Sequence, residues 1–572
     1  MRSALLFLLL LCSIAFSEPN AQLALGTPST VLNDLVRQNT KETFTYIFIT
    51  NDNEPLPAAV DDFYFKDGYL SMSGTMHESE NSSFLLKGTD KSIYGWVALM
   101  DRNIAYEYTT SETGVVTVEQ VPVDRVITVC DIQPPEGFYN YYNTKCNHTC
   151  GIQAYYPPVP HVGKYDGSNV NELESLPGAE KVFYLDITRI MDGDNPITVG
   201  SKEEIWILWQ IVASALSMYH VNVTTSRSVY EAAGLQNSGF ATFLNQNGRP
   251  NADFNSFGTT KTSRIYRTPR GGFGLGITAA HEIGHQLGLR HDSSDEGDSY
   301  FKGFEKYKWV PVMGGYWSGD NWREDALLQW CKGEYTTATN QEDDLQVIAR
   351  YLEFREDDHP DVTPLIITEA GKVSASSNWG QIHFTTDSDE FSFEIGSVGG
   401  HARLKVDRIE HYGGSMLDVY AAIKDASGNV IEESNEPAVR YAEFDLDLNQ
   451  GFYTLLIQGG AEGTPEYGFS NYSSLGFYSI EGEITGAIGI EENNKVSKST
   501  GIYPLLSGEK LHLHIPDNVT VEEITLYTID GKCVLNSQQR VAAVDVSRYA
   551  TGMYLLNIIY NGATLVKNFV KW

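Results

Sequence analysis

The feature that most constrains this chain is the run His281-Glu282-Ile283-Gly284-His285-Gln286-Leu287-Gly288-Leu289-Arg290-His291-Asp292. Residues four apart on a helix share a face, so His281 and His285 point the same way. Neutral imidazole suits zinc, with Zn–N near ~2.0–2.1 Å. Glu282 lies one residue on, about 100° around the helix, too far round to be a comfortable ligand but within reach of a water on the metal. Gly288 suits the left-handed conformation that ends a helix. The chain then turns back and delivers His291 as a third ligand. Three nitrogens leave the fourth position to water, the arrangement of a catalytic zinc rather than a structural one. Such an ion acidifies its water and polarises a carbonyl, and Glu282 takes the proton and hands it to the leaving group. The bland alternative is an ordinary helix with surface histidines. The complete spacing, with a glycine at the turn and a third histidine, argues against it.

The remaining sequence sets bounds. A chain of 572 residues corresponds to about three or four domains. With 42% hydrophobic and 12% aromatic residues, it can bury several cores and is not a disordered chain. The net charge of −33 speaks against nucleic acid, which is gripped by clustered Lys and Arg, and against an anionic membrane surface. Arg2, the apolar run Ala4 to Cys12 and the small-residue site Ala15-Phe16-Ser17 read as a signal peptide over residues 1–17. No later segment has the ~20 apolar residues of a membrane span. After cleavage Cys130, Cys146, Cys150, Cys331 and Cys533 remain, an odd set with at least one thiol free or paired to another molecule.

Periodicity divides the rest. Residues 18–150 carry strand signals, among them Thr43–Ile49, Gly114–Val118 and Arg125–Val129. The Tyr- and Pro-rich stretch Tyr155–Pro160 and the Gly163–Gly167 segment make 151–177 a linker open to proteolysis. Residues 178–358 mix strands, at Val182–Asp186 and Val221–Thr225, with an amphipathic helix near 202–218 and a helical pattern at Leu345, Ile348, Tyr351 and Leu352. A period-two pattern at Phe391–Ile395 and an apolar strand at Phe452–Ile457, ended by Gly459-Gly460, make 361–487 all-β. After the polar connector Glu491–Lys495, residues 496–572 repeat that character, with a hairpin signal at Asp530-Gly531. Both late blocks suggest β-sandwiches. The acidic run Asp292, Asp295, Glu296 and Asp298 offers oxygen ligands that suit Ca2+, and a solvated loop accounts for the same residues.

The histidine pattern, with Trp309-Val310-Pro311-Val312-Met313-Gly314-Gly315-Tyr316 downstream, resembles the metzincin zinc endopeptidases and their methionine turn. Asp292 after the third histidine makes the closest likeness the reprolysin (adamalysin) branch. The resemblance implies that His281, His285 and His291 hold Zn2+, that Glu282 is the catalytic base, that Met313 forms an apolar floor and that Asp292 fixes the backbone beneath. Tyr316 stands three residues after the methionine, where a tyrosine ligand would stand two after, and is not assigned to the metal. Gln329-Trp330-Cys331-Lys332-Gly333 and Asp343-Asp344-Leu345 resemble a stretch of secreted bacterial members, and Cys331 there reads as a buried small residue rather than a nucleophile.

Glu466–Gly476 resembles the end of a pre-peptidase C-terminal β-sandwich. Ile502-Tyr503-Pro504, Leu526–Lys532 and Gly552–Leu556 resemble the C-terminal sorting domain of type IX secretion in Bacteroidota, although Leu505 stands where an Asn is usual. Together these imply a multidomain fold: an α/β (α+β) metzincin catalytic domain, a β-rich propeptide and two C-terminal β-sandwiches. They also imply a secreted or cell-surface zymogen whose partners are protein or peptide substrates and the type IX machinery. Cys130, Cys146 or Cys150 could supply a thiolate to the zinc in the zymogen, or two of them form a disulfide. Sequons at Asn81 and Asn222 would matter only in a eukaryotic host. The competing class is a surface adhesin in which the β-domains act and the metal site is not catalytic.

Overall fold

The computed structural model describes residues 23–38, 45–129 except 78 and 80, 165–268 except 166, 271–295, 299–316, 326–409 except 361 and 369, and 415–488; in the last block it describes 503–507, 510–514, 521–528, 533–538, 543–549, 552–560 and 563–571. The signal peptide, Cys130, Cys146, Cys150, the stretch Tyr155–Pro160, the connector Glu491–Lys495 and the turn Asp530-Gly531 lie outside the described residues. The chain divides into two units, residues 1–129 with 252–262, and residues 130–251 with 263–572.

The first unit is an antiparallel sheet in the order 23–26, 116–122, 104–110, 93–99, 82–88, 69–76, 55–66, 45–49. Side chains alternate across a strand, yet both faces here are apolar. Phe48, Met72, Phe84, Val97 and Tyr108 bury on one, and Leu85, Trp96, Ala98 and Val121 on the other. The helix Pro28–Gln38, which strand signals alone do not predict, covers the first face with Leu32 and Leu35. Proline opens it, where a missing N–H costs nothing, and Thr27 Oγ1 accepts from Thr30 N at 3.3 Å. Residues 252–262 are held at their carbonyls. Trp96 Nε1 donates to Phe254 O at 3.4 Å, Lys87 Nζ to Phe257 O at 2.8 Å and Tyr69 OH to Gly258 O at 2.7 Å. Burial pushes the Lys87 ammonium down to about 7.

In the second unit, strands Val221–Thr224, Lys181–Asp186, Ser238–Leu244 and Ser263–Tyr266 lie side by side and parallel, and Asn251 pairs antiparallel with Arg264 at the edge. Parallel strands buried on both faces read as continuous apolar runs, as Val182-Phe183-Tyr184-Leu185 does. The helix Lys202–Ala215 starts where Ser201 Oγ accepts from Glu204 N at 3.3 Å. It stops short of the expected 218 because Leu216 leaves helical geometry. Ile205, Leu208, Ile211 and Val212 bury its inner face. The sequon residue Asn222 is fully buried; its Oδ1 accepts from Ser175 N and Leu176 N.

Beyond residue 362 the described residues form strands joined by loops and two short 3-10 turns, Pro465–Tyr467 and Asn471–Ser473. One sheet runs 363–364, 388–395, 451–459, 419–425, 430–434, and another 372–373, 476–485, 400–408, 442–448. Ser388–Ile395 buries every second residue, Asp389, Phe391, Phe393 and Ile395. The final block forms two further sheets around Leu511, Ile524, Leu526, Val544, Leu556 and Ile558. The whole is strand-rich with few helices, and no described helix is long and apolar enough to cross a membrane.

One buried cation ties residues 307–308 to the strands after 415. The Arg440 guanidinium, 7% exposed, meets Asp418 at 3.3 Å and Glu462, and donates to the carbonyls of Tyr307 and Lys308. Burial lifts the Asp418 carboxyl to about 6 against the pull of Arg440. Removing the arginine would strand two buried carboxylates. Arg440→Met should therefore lower stability by about 3–5 kcal/mol, read from urea midpoints at neutral pH; a loss under ~1 kcal/mol would show the cluster to be solvated.

Candidate metal centre

The motif helix, Gly271–Gln286, packs against both the parallel sheet and the helix Lys202–Ala215 and buries almost every residue. Gln286 fastens its end to the sheet, with Nε2 donating to Phe240 O at 2.8 Å and to Ser263 Oγ at 2.6 Å; Ser263 Oγ in turn donates to Glu282 O at 3.0 Å. Gly284 has a packing reason: a Cβ there would sit 2.6 Å from Met313 Sδ. Met313, fully buried, fills that space beneath the helix. Gly288 has φ +95°, so the chain reverses and Leu289 N returns to Gly284 O at 2.9 Å. The turn brings His291 back to the helix.

The three imidazoles meet. Each of His281, His285 and His291 places a ring nitrogen within 4.8 Å of the other two, with ring centroids 4.9, 5.3 and 4.7 Å apart. His281 Nδ1 lies 2.8 Å from Val312 O and His285 Nδ1 2.8 Å from Leu289 O. A carbonyl can only accept, so both Nδ1 atoms carry the proton and both Nε2 atoms keep a lone pair. His285 Nε2 stands 3.0 Å from His291 Nε2. Two nitrogens sharing a tetrahedral zinc would be about 3.3 Å apart, so the residues present fit such an ion.

Electrostatics agree. Burial drives His281 down to about 4, against the hydrogen bond to Val312. Burial, then the neighbouring His281, brings His291 to about 3. His285 is lowered well below its ordinary value by burial and by the other two histidines. All three are neutral at pH 7, the form that binds metal.

The supporting residues come from distant stretches. Val312 N is held by Gln329 O at 2.8 Å, and the Gln329 side chain donates to Met416 O at 2.6 Å and Ser474 Oγ at 2.9 Å. Asp292 is buried; its N donates to Met313 O at 2.9 Å and its O accepts from Phe301 N at 2.6 Å. Burial, then Glu342, raises its carboxyl to about 8. Asn340 Nδ2 donates to His291 O at 3.2 Å and Glu342 Oε2 accepts from Arg290 N at 2.8 Å. Tyr300, which the sequence did not single out, lies over His291 with centroids 4.4 Å apart. Only its aromatic character within the acidic loop hinted at it.

Glu282 is fully buried within the motif helix. Tyr316 is buried with its ring edge-on to Phe273. Cys331 is buried, and burial raises its thiol well above the ordinary range. In the acidic run Asp292 turns inward while Asp295 is exposed, so these two do not gather around a calcium ion; Glu296 and Asp298 lie outside the described residues.

Comparison with known proteins places this centre in context. Residues 222–307 match the model of the metallopeptidase family M12B, reprolysin-like, and residues 501–571 match the secretion system C-terminal sorting domain. No curated protein matches the chain. Among solved structures, a β-glucuronidase from an uncultured Clostridium sp. aligns at 14% identity over 32% of this chain and 34% of its own, with a TM-score of 0.12. The chain thus spans about a third of that protein. Metalloproteinase-II from Bacteroides fragilis aligns at 11% identity over 50% and 89%, with a TM-score of 0.14. Neither alignment at these scores bears on function. The two family matches do: the histidine helix lies in a reprolysin-like metallopeptidase segment, and the last block is a type IX sorting domain, the mark of a secreted or cell-surface protein of the Bacteroidota type.

The buried histidines set a pH dependence for the metal-free protein. In the unfolded chain a histidine titrates near ~6.5, while folded His281 titrates near 4. The unfolded state therefore binds the extra proton as pH falls, and stability present above ~6.5 is lost on the way to 4. Between pH 7 and pH 5, wild type should lose about 2 kcal/mol more than His281→Leu, read from urea midpoints. Equal losses in the two proteins would contradict a buried neutral imidazole.

Proposed function

We propose that this chain is a secreted zinc-dependent endopeptidase that hydrolyses peptide bonds in protein or peptide substrates. The observation that carries the reading is the convergence of three neutral imidazoles, two of them locked by backbone carbonyls, within a segment that matches reprolysin-like metallopeptidases. His281, His285 and His291 would hold the ion. When bound, zinc acidifies a water and polarises the carbonyl under attack.

The remaining roles belong to the chain. Glu282 follows the first histidine on the same helix, about 100° around. As general base it takes a proton from the attacking water and returns it to the departing amine. Met313 and Gly284 keep the floor dry and close-packed. Gln329 holds Val312, and Val312 holds the His281 proton on Nδ1. Asp292, tied to Met313 and Phe301, keeps the returning chain under the site.

The domain plan that goes with this function is a signal peptide at 1–17, a propeptide at 18–150, a linker at 151–177, the catalytic domain at 178–358, a β-sandwich at 361–487 and the sorting domain at 496–572. The alternating burial of Ser388–Ile395 supports the first sandwich. The match over 501–571 supports type IX machinery as the export partner.

Glu282→Ala should retain about one zinc per chain by metal analysis and lose roughly 10²–10⁴-fold in cleavage of a fluorogenic peptide library. Near-normal cleavage by the zinc-loaded variant would remove Glu282 from the chemistry. Zinc retention with no cleavage by the wild type would favour a binding protein.

A further inference from the structure

A second cluster of ligating groups lies outside the histidine site, where the chain leaves the short helix Asp344–Ile348 and enters the first strands of the paired sheets. Asp357, Asp387 and Asp389 each place a carboxylate oxygen within 4.8 Å of the other two, and Asp357, Asp358 and His383 do the same. Asp387 is 4% exposed and Asp389 0%. One oxygen of each has a donor: Asp387 Oδ2 accepts from His383 N at 2.6 Å, and Asp389 Oδ2 accepts from the Tyr478 hydroxyl. The other oxygen of each, Oδ1, is buried with no hydrogen-bond partner, and so is His383 Nδ1.

Buried ionised carboxylates left in this state are strongly unfavourable unless a cation sits among them or a proton neutralises them. The protein's own cations do not suffice. His383 Nδ1 lies 3.5 Å from Asp387 and 3.7 Å from Asp358. His359 Nε2 is 3.8 Å from Asp358, and Arg355 also faces Asp358. Toward Asp389 the charges are negative: Asp358, Asp387 and Asp357. Burial, opposed by the Tyr478 hydrogen bond, holds its carboxyl up at about 8.

We propose that Asp357, Asp387 and Asp389, with Asp358 beside them, form a calcium site that pins the segment following the short helix to the connection between strands Trp379–Ile382 and Ser388–Ile395, which belong to different sheets. Several carboxylates and a single imidazole make a hard, oxygen-dominated donor set, which suits calcium over zinc. The site is separate from the histidine centre and its existence does not depend on peptidase activity. The ion replaces the missing partners of both Oδ1 atoms. It also makes the join between residues 357–358 and the sheets sensitive to calcium, through Asp358 Oδ1, which accepts from Gln381 N at 3.3 Å.

The probe is terbium, a calcium mimic excited through the Tyr478 ring, added at one equivalent to the full zinc-loaded chain carrying Glu282→Ala to suppress self-cleavage. The expected result is terbium emission displaced by calcium, with the calcium affinity at least tenfold weaker in Asp389→Asn and Asp387→Asn. Millimolar calcium should raise the melting temperature of the parent by several degrees and leave these variants unmoved. Should either buried variant fail to fold, Asp357→Asn, partly exposed, gives the same comparison. Absence of emission, emission unchanged in all three variants, or displacement by zinc but not by calcium would each overturn the site. None of these outcomes depends on cleavage, so they leave the peptidase reading to its own test.

Discussion

Two carbonyl groups decide what the histidines can do. Val312 O and Leu289 O hold the Nδ1 protons of His281 and His285, and that alone turns the Nε2 lone pairs toward one point. An imidazole left to rotate and choose its tautomer would spend part of its time with the wrong nitrogen forward. Outer partners of this kind hold the first ligands in place. Here they are backbone atoms, so no side-chain substitution at 289 or 312 removes them directly. They are disturbed only by moving the chain that carries them.

That chain is anchored from far away. Val312 is placed by Gln329, whose side chain is tied to Met416 and Ser474. The strand Trp309–Pro311 pairs with Leu327–Gln329 and begins just after the carbonyls that Arg440 holds. The sheets beyond residue 362 therefore enter the geometry of His281 through two short relays. Residues 178–358 present the histidines, but part of what keeps them oriented lies further along the chain. Stability and metal affinity should respond together to changes along these relays, because each link is buried and paired.

The helix and turn of the metal centre were legible in the sequence because they are local. His281 and His285 sit one helical turn apart, and Gly288 announces the reversal that returns His291. The methionine beneath was implied only by the resemblance to metzincins, and its contact with Gly284 supplies the reason for a glycine in mid-helix. What stayed hidden is non-local. Nothing in the sequence around Gln329 says that its side chain bridges to Met416 and Ser474. Asp357 and Asp389 are ordinary acidic residues in an acidic chain until strand pairing brings them together. The helix Pro28–Gln38 was hidden differently, by β-branched and polar residues with weak helical preference; burial of Leu32 and Leu35 decides its conformation. The acidic run after His291 looked like one feature and is divided, since Asp292 serves the interior and Asp295 the solvent.

The passage of the chain from one unit into the other and back has a topological consequence. Residues 23–129 and 252–262 share a unit, while 130–251 and everything after 263 belong to the other. A single nick between 130 and 177 severs only the first of three crossings. The amino-terminal fragment then stays clasped, without a covalent bond, around a loop of the very polypeptide it was cut from. Shedding it means breaking the grip of Lys87, Trp96 and Tyr69 on the carbonyls of that loop, so scission and departure are distinct events with distinct rates.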